Sequence, residues 1–355
     1  MTPELRWLSD PTVFAVNRLD AHSDHLCCRT LDEAESGLTS LRQSLDGAWR
    51  FAWSANPAAR PADFWQPDAD LTGTPADAEI VIGNPPMEAL ESNANLRLLQ
   101  LHSAGTGRYP ELYRTHPHLA ICCATGAYGH TVAEHMFASL LCLMKHLNEY
   151  AVQQQTARWK DLGAARSIRG ANVLVIGLGD IGGAFARMCR ALGAAVTGIR
   201  RTPAPDPETA DRVFGLDQLD ALLPSADVVA CALPETPQTR GLLNKARLAL
   251  LKPDAYLVNA GRGSLIDEAA LLETLNEGRL AGVALDVLCT EPLPADSPLW
   301  HAPRILITPH VAGGDHLPDV GENLARISLH NIRALAANAP FQSLVDPATG
   351  YRARP

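Results

Sequence analysis

The sequence predicts an α/β fold organised around a doubly wound parallel sheet. Short apolar runs rich in β-branched residues alternate with stretches of helical composition along most of the 355 residues. One such run, at residues 173–176, ends in a Gly-x-Gly-x-x-Gly pattern, and a second strand-like run follows at residues 194–199. Strand, glycine turn, helix and strand in this order predict a nucleotide-binding unit.

The three glycines of this pattern, Gly177, Gly179 and Gly182, favour binding of a pyrophosphate. They let the backbone turn tightly, and the helix predicted over residues 184–192 aims its first N–H groups at the phosphates. With Asp180 and Ile181 they form the predicted cofactor loop of a Rossmann-type domain. A purely structural turn is the alternative, because many turns contain glycines in this spacing.

Composition and charge narrow the class of protein. Hydrophobic residues make up 46% of the chain and charged residues 19%, as in ordinary globular proteins. The net charge of −9 predicts neither nucleic acid nor an anionic membrane as a partner. No apolar run is long enough to span a bilayer, and the first residues do not resemble a secretory signal. Eight cysteines without a Cys-x-x-Cys motif favour free thiols in a cytoplasmic protein and no metal site.

The residues after the second strand bear on the choice of cofactor. Arg200, Arg201 and Thr202 stand where an acidic residue would normally bind the ribose 2′-hydroxyl of NAD. Two guanidinium groups would instead bind a 2′-phosphate through charge-assisted hydrogen bonds. The sequence therefore favours NADP, with NAD as the alternative. Solvated arginines at a strand end would give the same pattern.

The rest of the chain continues the alternation of strands and helices. Further strands of the large sheet are predicted at residues 226–233, 256–260, 282–287 and 305–310. Strands of a smaller α/β domain are predicted at 78–83, 96–101 and 119–123. Helices are predicted at 131–150, 267–277 and 317–336, the first as one long crossover helix.

Three polar residues downstream of the glycine motif suggest a definite chemistry. Hydride transfer to a 2-keto acid needs a cation that holds the carboxylate and an acid/base group for the hydroxyl proton. Arg262 can supply the first by a two-pronged contact, and His310 can supply the second. Glu291, if it binds the other ring nitrogen, would stabilise the imidazolium form and fix the tautomer.

Several motifs together resemble the D-isomer-specific 2-hydroxyacid dehydrogenase family over about residues 77–351. They lie at residues 177–182, 233–244, 258–263, 285–292 and 308–310. The resemblance implies that Arg262 orients the substrate carboxylate, that His310 is the general acid/base and that Glu291 is its partner. It also implies a substrate loop at Ser103, Ala104 and Gly105. Beyond the glycine loop and the arginines, the implied cofactor-binding residues are Leu233, Pro234, Thr239, Ala260, Gly261, Arg262, Asp286, His310 and Ala312.

Within this family, the arginines after the second strand resemble those of NADPH-preferring glyoxylate/hydroxypyruvate reductases. The resemblance implies a small 2-keto or 2-hydroxy acid as substrate and a homodimer paired through the helix at 131–150. Two alternatives stay open: an NAD-dependent enzyme similar to phosphoglycerate dehydrogenase, and an inactive cofactor-binding fusion product.

Residues 1–73 differ in character from the rest of the chain. The stretches at residues 11–25, 44–51 and 60–65 resemble the start of family 2 β-galactosidases, which is a leader and the first strand of a jelly-roll domain. The expected organisation is a remnant of that kind at 1–73, a truncated flavodoxin-like substrate domain at 74–125 and 314–355, and an NAD(P)-binding domain at 126–313. Glycoside hydrolysis is disfavoured, because a partial first domain lacks the required pair of carboxylates.

Overall fold

The computed structural model describes residues 78–314 and 317–352, together with one short strand pair near the N-terminus. That pair consists of β1 (Asp24–His25) and β2 (Gln43–Ser44), which run antiparallel. The rest of the segment predicted to resemble β-galactosidases lies outside the described residues, so that expectation stays a prediction.

The chain forms two compact units. One contains Met1–Gln100 and Glu111–Ala120, and the other contains Leu101–Pro110 and Ile121–Pro355. The domain boundaries expected from the sequence do not coincide with these units, and they stay a prediction.

The first unit contains two of the strands predicted for the smaller domain. Strands β3 (Ile80–Ile82) and β4 (Leu98–Gln100) pair in parallel, with Ile80 opposite Leu98. The short helix α1 (Glu88–Glu91) lies between them in sequence. Strand β5 (Ala120–Cys122), in which the boundary between the units falls, is the third strand of this sheet in the order β3-β4-β5.

The second unit contains a seven-stranded sheet whose strands all pair in parallel. Its strands are β6 (Asn172–Ile176), β7 (Ala195–Ile199), β8 (Arg212–Phe214), β9 (Val228–Cys231), β10 (Tyr256–Asn259), β11 (Gly282–Leu285) and β12 (Ile305–Ile307). The order β12-β11-β10-β9-β6-β7-β8 reverses direction between β6 and β9. This is the predicted doubly wound sheet, and the reversal is where such sheets bind ligands.

Helices cover both faces of the large sheet. The helices of the second unit are α2 (Gly129–Met144), α3 (Leu147–Gln155), α4 (Asp180–Ala191), α5 (Leu219–Leu222), α6 (Lys245–Leu250), α7 (Glu268–Asn276) and α8 (Pro318–Ala337). Alternate residues of β6 point to opposite faces. Val175 belongs to a core that includes Met136 and Phe185, and Ile176 belongs to a second core that includes Leu248. Each such fully buried side chain contributes about 2 kcal/mol of hydrophobic free energy.

The prediction of one long crossover helix was wrong in its extent. Helix α2 ends at Met144 and α3 begins at Leu147, because His146 adopts a left-handed conformation with φ of 56°. The His146 ring lies 2.9 Å from the Glu149 carboxylate, and this hydrogen bond raises the pKa of the ring. Hydrophobic periodicity continues through this break and does not reveal it.

Three elements of the large-sheet domain, β8, α5 and α6, were not predicted. Helix α5 is a single turn of four residues. Strand β8 is only three residues long and half-exposed, so it carries little apolar pattern. Helix α6 begins after Asn244, whose side chain accepts a hydrogen bond from Arg247 N at 3.1 Å. An asparagine in this position is an ordinary N-cap signal, which the sequence analysis did not use.

The cysteines and the helices of the described residues bear on redox chemistry and on membrane insertion. The six cysteines among them are free, and burial raises the pKa of Cys231 to about 12, so this thiol stays protonated. None of the helices seen in this part of the chain combines the length and apolar character needed to cross a membrane.

Candidate active site

The predicted site residues follow the carboxyl ends of parallel strands. The glycine loop follows β6, Arg200 follows β7, Arg262 follows β10, and Asp286 follows β11. Parallel strands end at one edge of the sheet, so these groups share the edge at which such sheets bind ligands.

The glycine loop has the geometry that its sequence predicts. Gly177 has φ of 105°, and a Cβ there would lie 2.8 Å from the carbonyl oxygen of Ala232. A Cβ on Gly182 would overlap the carbonyl oxygen of Gly177, so α4 can approach β6 only with glycine at this position. A Cβ on Gly179 would meet nothing within 4 Å. The loop therefore leaves open space at the first turn of α4, as a bound pyrophosphate requires.

Asp180 turns away from that open space. Its Oδ2 accepts a hydrogen bond from Gly126 N at 2.9 Å, and its carboxylate packs against the Cα of Gly129 at the start of α2. The side chain thus connects two helix N-termini, where a negative charge is stabilised by the helix dipole. The neighbouring Ile181 is half-buried and packs against the core of that face.

The two arginines after β7 differ in their contacts with other residues that the structure describes. Arg200 donates to the carbonyl oxygen of Ala204 at 2.8 Å, and its guanidinium lies 3.6 Å from the Asp206 carboxylate. Its Nε is buried and has no hydrogen-bond partner among the described residues. Arg201 and Thr202 are exposed, and within the described chain Arg201 makes no ion pair. These residues fit a 2′-phosphate, with Arg201 as the guanidinium that is free to bind it.

Arg262 is held by the turn that follows β10. The buried side chain of Asn259 donates to Arg262 O at 2.9 Å and accepts from Gly261 N at 3.0 Å. A Cβ on Gly261 would lie 2.6 Å from Leu233 O, so this turn packs closely against the segment after β9. Sequence reasoning did not single out Asn259, although a buried amide directly before a functional turn is a usable signal.

The substrate loop meets Arg262 directly. The Nη2 atom of Arg262 lies where a side chain on Gly105 would begin, so a larger residue at 105 would displace the guanidinium. Ser103 Oγ donates to Gly105 O at 2.5 Å, which closes the loop. The N–H groups of Ala104 and Gly105 make no hydrogen bond within the described residues. A guanidinium next to a loop with N–H groups that bind nothing else within the described residues has the donors that a carboxylate would need.

Glu291 and His310 form the predicted pair. Glu291 Oε2 lies 2.7 Å from His310 Nδ1, and Oε1 accepts a hydrogen bond from Leu288 N at 2.8 Å. Because Nδ1 is engaged with the carboxylate, Nε2 is the ring nitrogen left to exchange a proton with a ligand. The His310 side chain is 48% exposed, so Nε2 is accessible.

Asp286 organises the loop that carries His310. Its carboxylate accepts hydrogen bonds from Thr308 Oγ1 at 2.6 Å, Val311 N at 3.0 Å and Ala312 N at 3.2 Å. Its backbone oxygen accepts from His310 N at 2.9 Å, and His310 has φ of 53°. This buried carboxylate, predicted as a cofactor contact, is engaged by the protein itself. His135 Nε2 adds a hydrogen bond to Thr308 Oγ1 at 3.0 Å, which the sequence did not predict.

The remaining residues predicted to bind cofactor line or shape the loops at this edge. Thr239 is buried, and its hydroxyl donates to Pro234 O at 2.7 Å, so it closes the loop after β9. Ala260 and Ala312 are buried, whereas Leu233 is half-buried and Pro234 is exposed. The residues from 78 onward that the structure describes contain no cluster of metal-binding side chains.

Comparison with known proteins shows which family the chain resembles. The model for the NAD-binding domain of D-isomer-specific 2-hydroxyacid dehydrogenases matches residues 137–312. Glyoxylate/hydroxypyruvate reductase A of Serratia proteamaculans is 31% identical over 324 residues, which cover 90% of this chain and 96% of that protein. The chain belongs to the D-isomer-specific 2-hydroxyacid dehydrogenase family.

Solved structures of this family share the fold. A dehydrogenase from Xanthobacter autotrophicus in complex with NADPH is 30% identical, with a TM-score of 0.69 over 79% of this chain and 87% of that chain. The NADPH-dependent glyoxylate/hydroxypyruvate reductase of Sinorhizobium meliloti, in complex with NADP and sulfate, is 26% identical. Its TM-score is also 0.69, over 83% of this chain and 90% of that chain.

The alignment with the Serratia relative begins nearer the N-terminus than the matching motifs do. The share of this chain aligned with the Serratia protein is larger than residues 77–355 can supply, so it includes part of the segment before Asp77. The expected truncation of the substrate domain stays a prediction.

Proposed function

We propose that this protein reduces small 2-keto acids to D-2-hydroxy acids with NADPH, and that glyoxylate and hydroxypyruvate are its substrates. As a member of its family the chain is an NAD(P)-dependent oxidoreductase that acts on CH–OH groups. The relatives named for glyoxylate and hydroxypyruvate support this substrate class. The observation that carries the proposal is the half-buried Arg262, which has no carboxylate partner among the described residues and whose Nη2 lies against Gly105 of the substrate loop.

The chemistry follows from the residues at the sheet edge. The cofactor, when bound, supplies a hydride to the carbonyl carbon of the substrate. Arg262 and the N–H groups of Ala104 and Gly105 would hold the substrate carboxylate. His310 Nε2 would donate a proton to the carbonyl oxygen. The hydride forms the new C–H bond, the proton forms the new O–H bond, and the C=O double bond becomes a C–O single bond. Glu291 would hold the ring through Nδ1 and so keep Nε2 oriented toward the substrate.

The preference for NADPH over NADH rests on the segment after β7. Arg201 is exposed and unpaired within the described chain, whereas Arg200 is partly neutralised by Asp206. A guanidinium that faces no carboxylate attracts the dianionic 2′-phosphate of NADPH, and an NADH molecule lacks that group.

The test is a steady-state assay of cofactor oxidation with glyoxylate and hydroxypyruvate. We expect turnover with either acid and a higher kcat/KM with NADPH than with NADH. The substitution Arg262→Lys keeps the charge but loses the bidentate contact with the substrate carboxylate, so kcat/KM for the keto acid should fall about a hundredfold. Cofactor binding without turnover of any small 2-keto acid would overturn the proposal in favour of an inactive cofactor-binding protein.

We also infer a homodimer in the cytoplasm. Three apolar side chains, Leu147 and Val152 of α3 and Trp159 beyond it, are 54%, 61% and 103% exposed. Exposed apolar side chains in this number mark an interaction surface. The free thiols of the described cysteines suit a reducing compartment.

A further inference from the structure

The segment after α8 forms a closed turn that ends beside the candidate active site. Val345 and Arg352 pair as an antiparallel bridge. Asp346 N donates to Tyr351 O at 2.7 Å, and Gly350 N donates to Asp346 O at 2.8 Å. The position of Tyr351 is therefore fixed by backbone hydrogen bonds rather than by its own side chain.

This turn docks on the loop that carries the substrate-binding N–H groups. Thr106 is buried, and its Oγ1 donates to Gly350 O at 2.5 Å. A Cβ on Gly350 would lie 3.4 Å from Cγ of Pro110. Since Gly105, the residue before Thr106, packs against Arg262, the contact brings Tyr351 to the same part of the site.

The surroundings of the Tyr351 hydroxyl suit a hydrogen bond to a ligand. The side chain is half-buried, and its hydroxyl makes no hydrogen bond with any residue that the structure describes. Burial raises the pKa of Tyr351, the nearby Arg262 guanidinium lowers it, and the Glu235 carboxylate raises it, with a net increase above the ordinary value of 10.0. The hydroxyl is therefore protonated at neutral pH and can donate.

The charge near Tyr351 limits what kind of group it can bind. Glu235 is fixed by Ser264 Oγ, which donates to its Oε2 at 2.6 Å, and by an ion pair with Arg240. A fixed carboxylate near the phenol disfavours a second anionic group on the substrate, such as a distal carboxylate or phosphate. A neutral hydroxyl, which can both donate and accept, suits this environment.

We propose that Tyr351 determines specificity by binding the 3-hydroxyl group of a 3-hydroxy-2-keto acid whose carboxylate is held by Arg262. This inference rests on the proposed function. Glyoxylate has no third carbon, so it makes no such contact, whereas hydroxypyruvate does. The site thus favours the larger acid through one hydrogen bond.

The experiment compares Tyr351→Phe with the wild-type enzyme on both acids. The variant keeps the ring and loses only the hydroxyl. We expect kcat/KM for hydroxypyruvate to fall about tenfold, and kcat/KM for glyoxylate to stay within about twofold. Tyr150→Phe, the same change in α3, should alter neither value. The thermal midpoint of Tyr351→Phe should match the wild type.

Two results would overturn the inference. An equal loss on both acids would mean that Tyr351 acts on the carboxylate or on the loop, and unchanged kcat/KM values for both acids would mean that it does not reach the substrate. A wild-type enzyme that reduces neither acid would instead refute the proposed function, and the inference with it. Glyoxylate turnover therefore separates the two failures.

Discussion

Glu291 divides its two carboxylate oxygens between His310 Nδ1 and Leu288 N. The backbone of Leu288 in turn lies where a side chain on Gly263 would sit, next to Arg262 in sequence. The orientation of the imidazole is therefore connected to the turn that carries the arginine. At the residue scale, the proposed acid/base group and the proposed carboxylate-binding group share one packed backbone region.

The Glu291–His310 pair should behave as a unit. Glu291→Gln keeps the shape and the hydrogen bond from Leu288 N but removes the charge beside the imidazole, so kcat should fall about tenfold to a hundredfold. His310→Ala should cost more. The double variant should be no slower than His310→Ala alone, because Glu291 acts only through the ring. Independent losses that multiply in the double variant would contradict this account.

The sequence could predict these residues individually because each lies in a short motif. It could not predict the contacts that orient them. Asn259 binds the backbone of the turn that it precedes, and Asp286 binds Thr308 of a separate segment, and neither contact leaves a pattern in the sequence. Tyr351 was missed for a related reason. The turn that carries it is placed beside the substrate loop by the hydrogen bond from Thr106 to Gly350, a contact between residues far apart in sequence.

At the scale of elements, two glycines between β6 and α4 are expected to have different roles. One is required by backbone packing, and the other is where a ligand would bind. A Cβ on Gly182 overlaps the backbone of Gly177, whereas one on Gly179 meets open space. Gly182→Ala should therefore lower the thermal midpoint by several degrees, about 4–8 °C for each 1 kcal/mol in a small domain and less in a longer chain. Gly179→Ala should keep the midpoint.

The same pair of variants should differ in the opposite way in cofactor affinity. Gly179→Ala places a methyl group where the backbone must approach the pyrophosphate, so the Kd for NADPH should rise at least about tenfold. Fluorescence titration of the folded variant measures this. A Gly179→Ala protein that binds NADPH as tightly as the wild type would show that this loop does not hold the pyrophosphate.

The stability of the large sheet should depend on pH through Asp227. Asp227, at the start of β9, accepts from Asn172 N of β6 at 2.8 Å and lies 2.7 Å from Lys252 Nζ. Burial alone would raise the pKa of Asp227, but these hydrogen bonds and the charges of Lys252 and Arg166 outweigh it, so the pKa is lowered. The carboxylate therefore stabilises the fold above its unfolded pKa of 3.8, and this stabilisation is lost as pH falls through the lower folded pKa.

Urea unfolding of the wild type and of Asp227→Asn at several pH values tests this. The variant should be less stable by about 1 kcal/mol at pH 7, and the difference should shrink as the pH falls below about 4. A difference that stays constant with pH would mean that the charge of Asp227 is not what connects these strands.

Most elements of the large sheet could be predicted because buried parallel strands are continuous apolar runs bounded by glycine or polar residues. The break at His146 could not, since a single left-handed residue leaves the apolar pattern of the two helices unchanged. Strand β8 was missed because its residues are half-exposed and carry no strong pattern.

At the scale of the whole molecule, the exposed apolar surface of α3 and the segment after it should bury itself against a second copy. Light scattering should give twice the chain mass of 38.1 kDa. Trp159→Glu should shift the protein toward the monomer, because the charge would be desolvated at the interface. Leu192→Glu, which alters another exposed apolar residue at the end of α4, is the matched control and should stay dimeric. A wild-type protein that is monomeric at micromolar concentration would contradict the proposed dimer.

The central claim is that hydride passes to the carbonyl carbon of a small 2-keto acid with D stereochemistry. The most direct measurement is reduction of hydroxypyruvate with NADPH that carries deuterium at both positions of C4, followed by chiral analysis and mass spectrometry of the glycerate formed. We expect D-glycerate with one deuterium on C2, and no product from His310→Ala on the same timescale. L-glycerate, a racemic product or glycerate without the label would contradict the account.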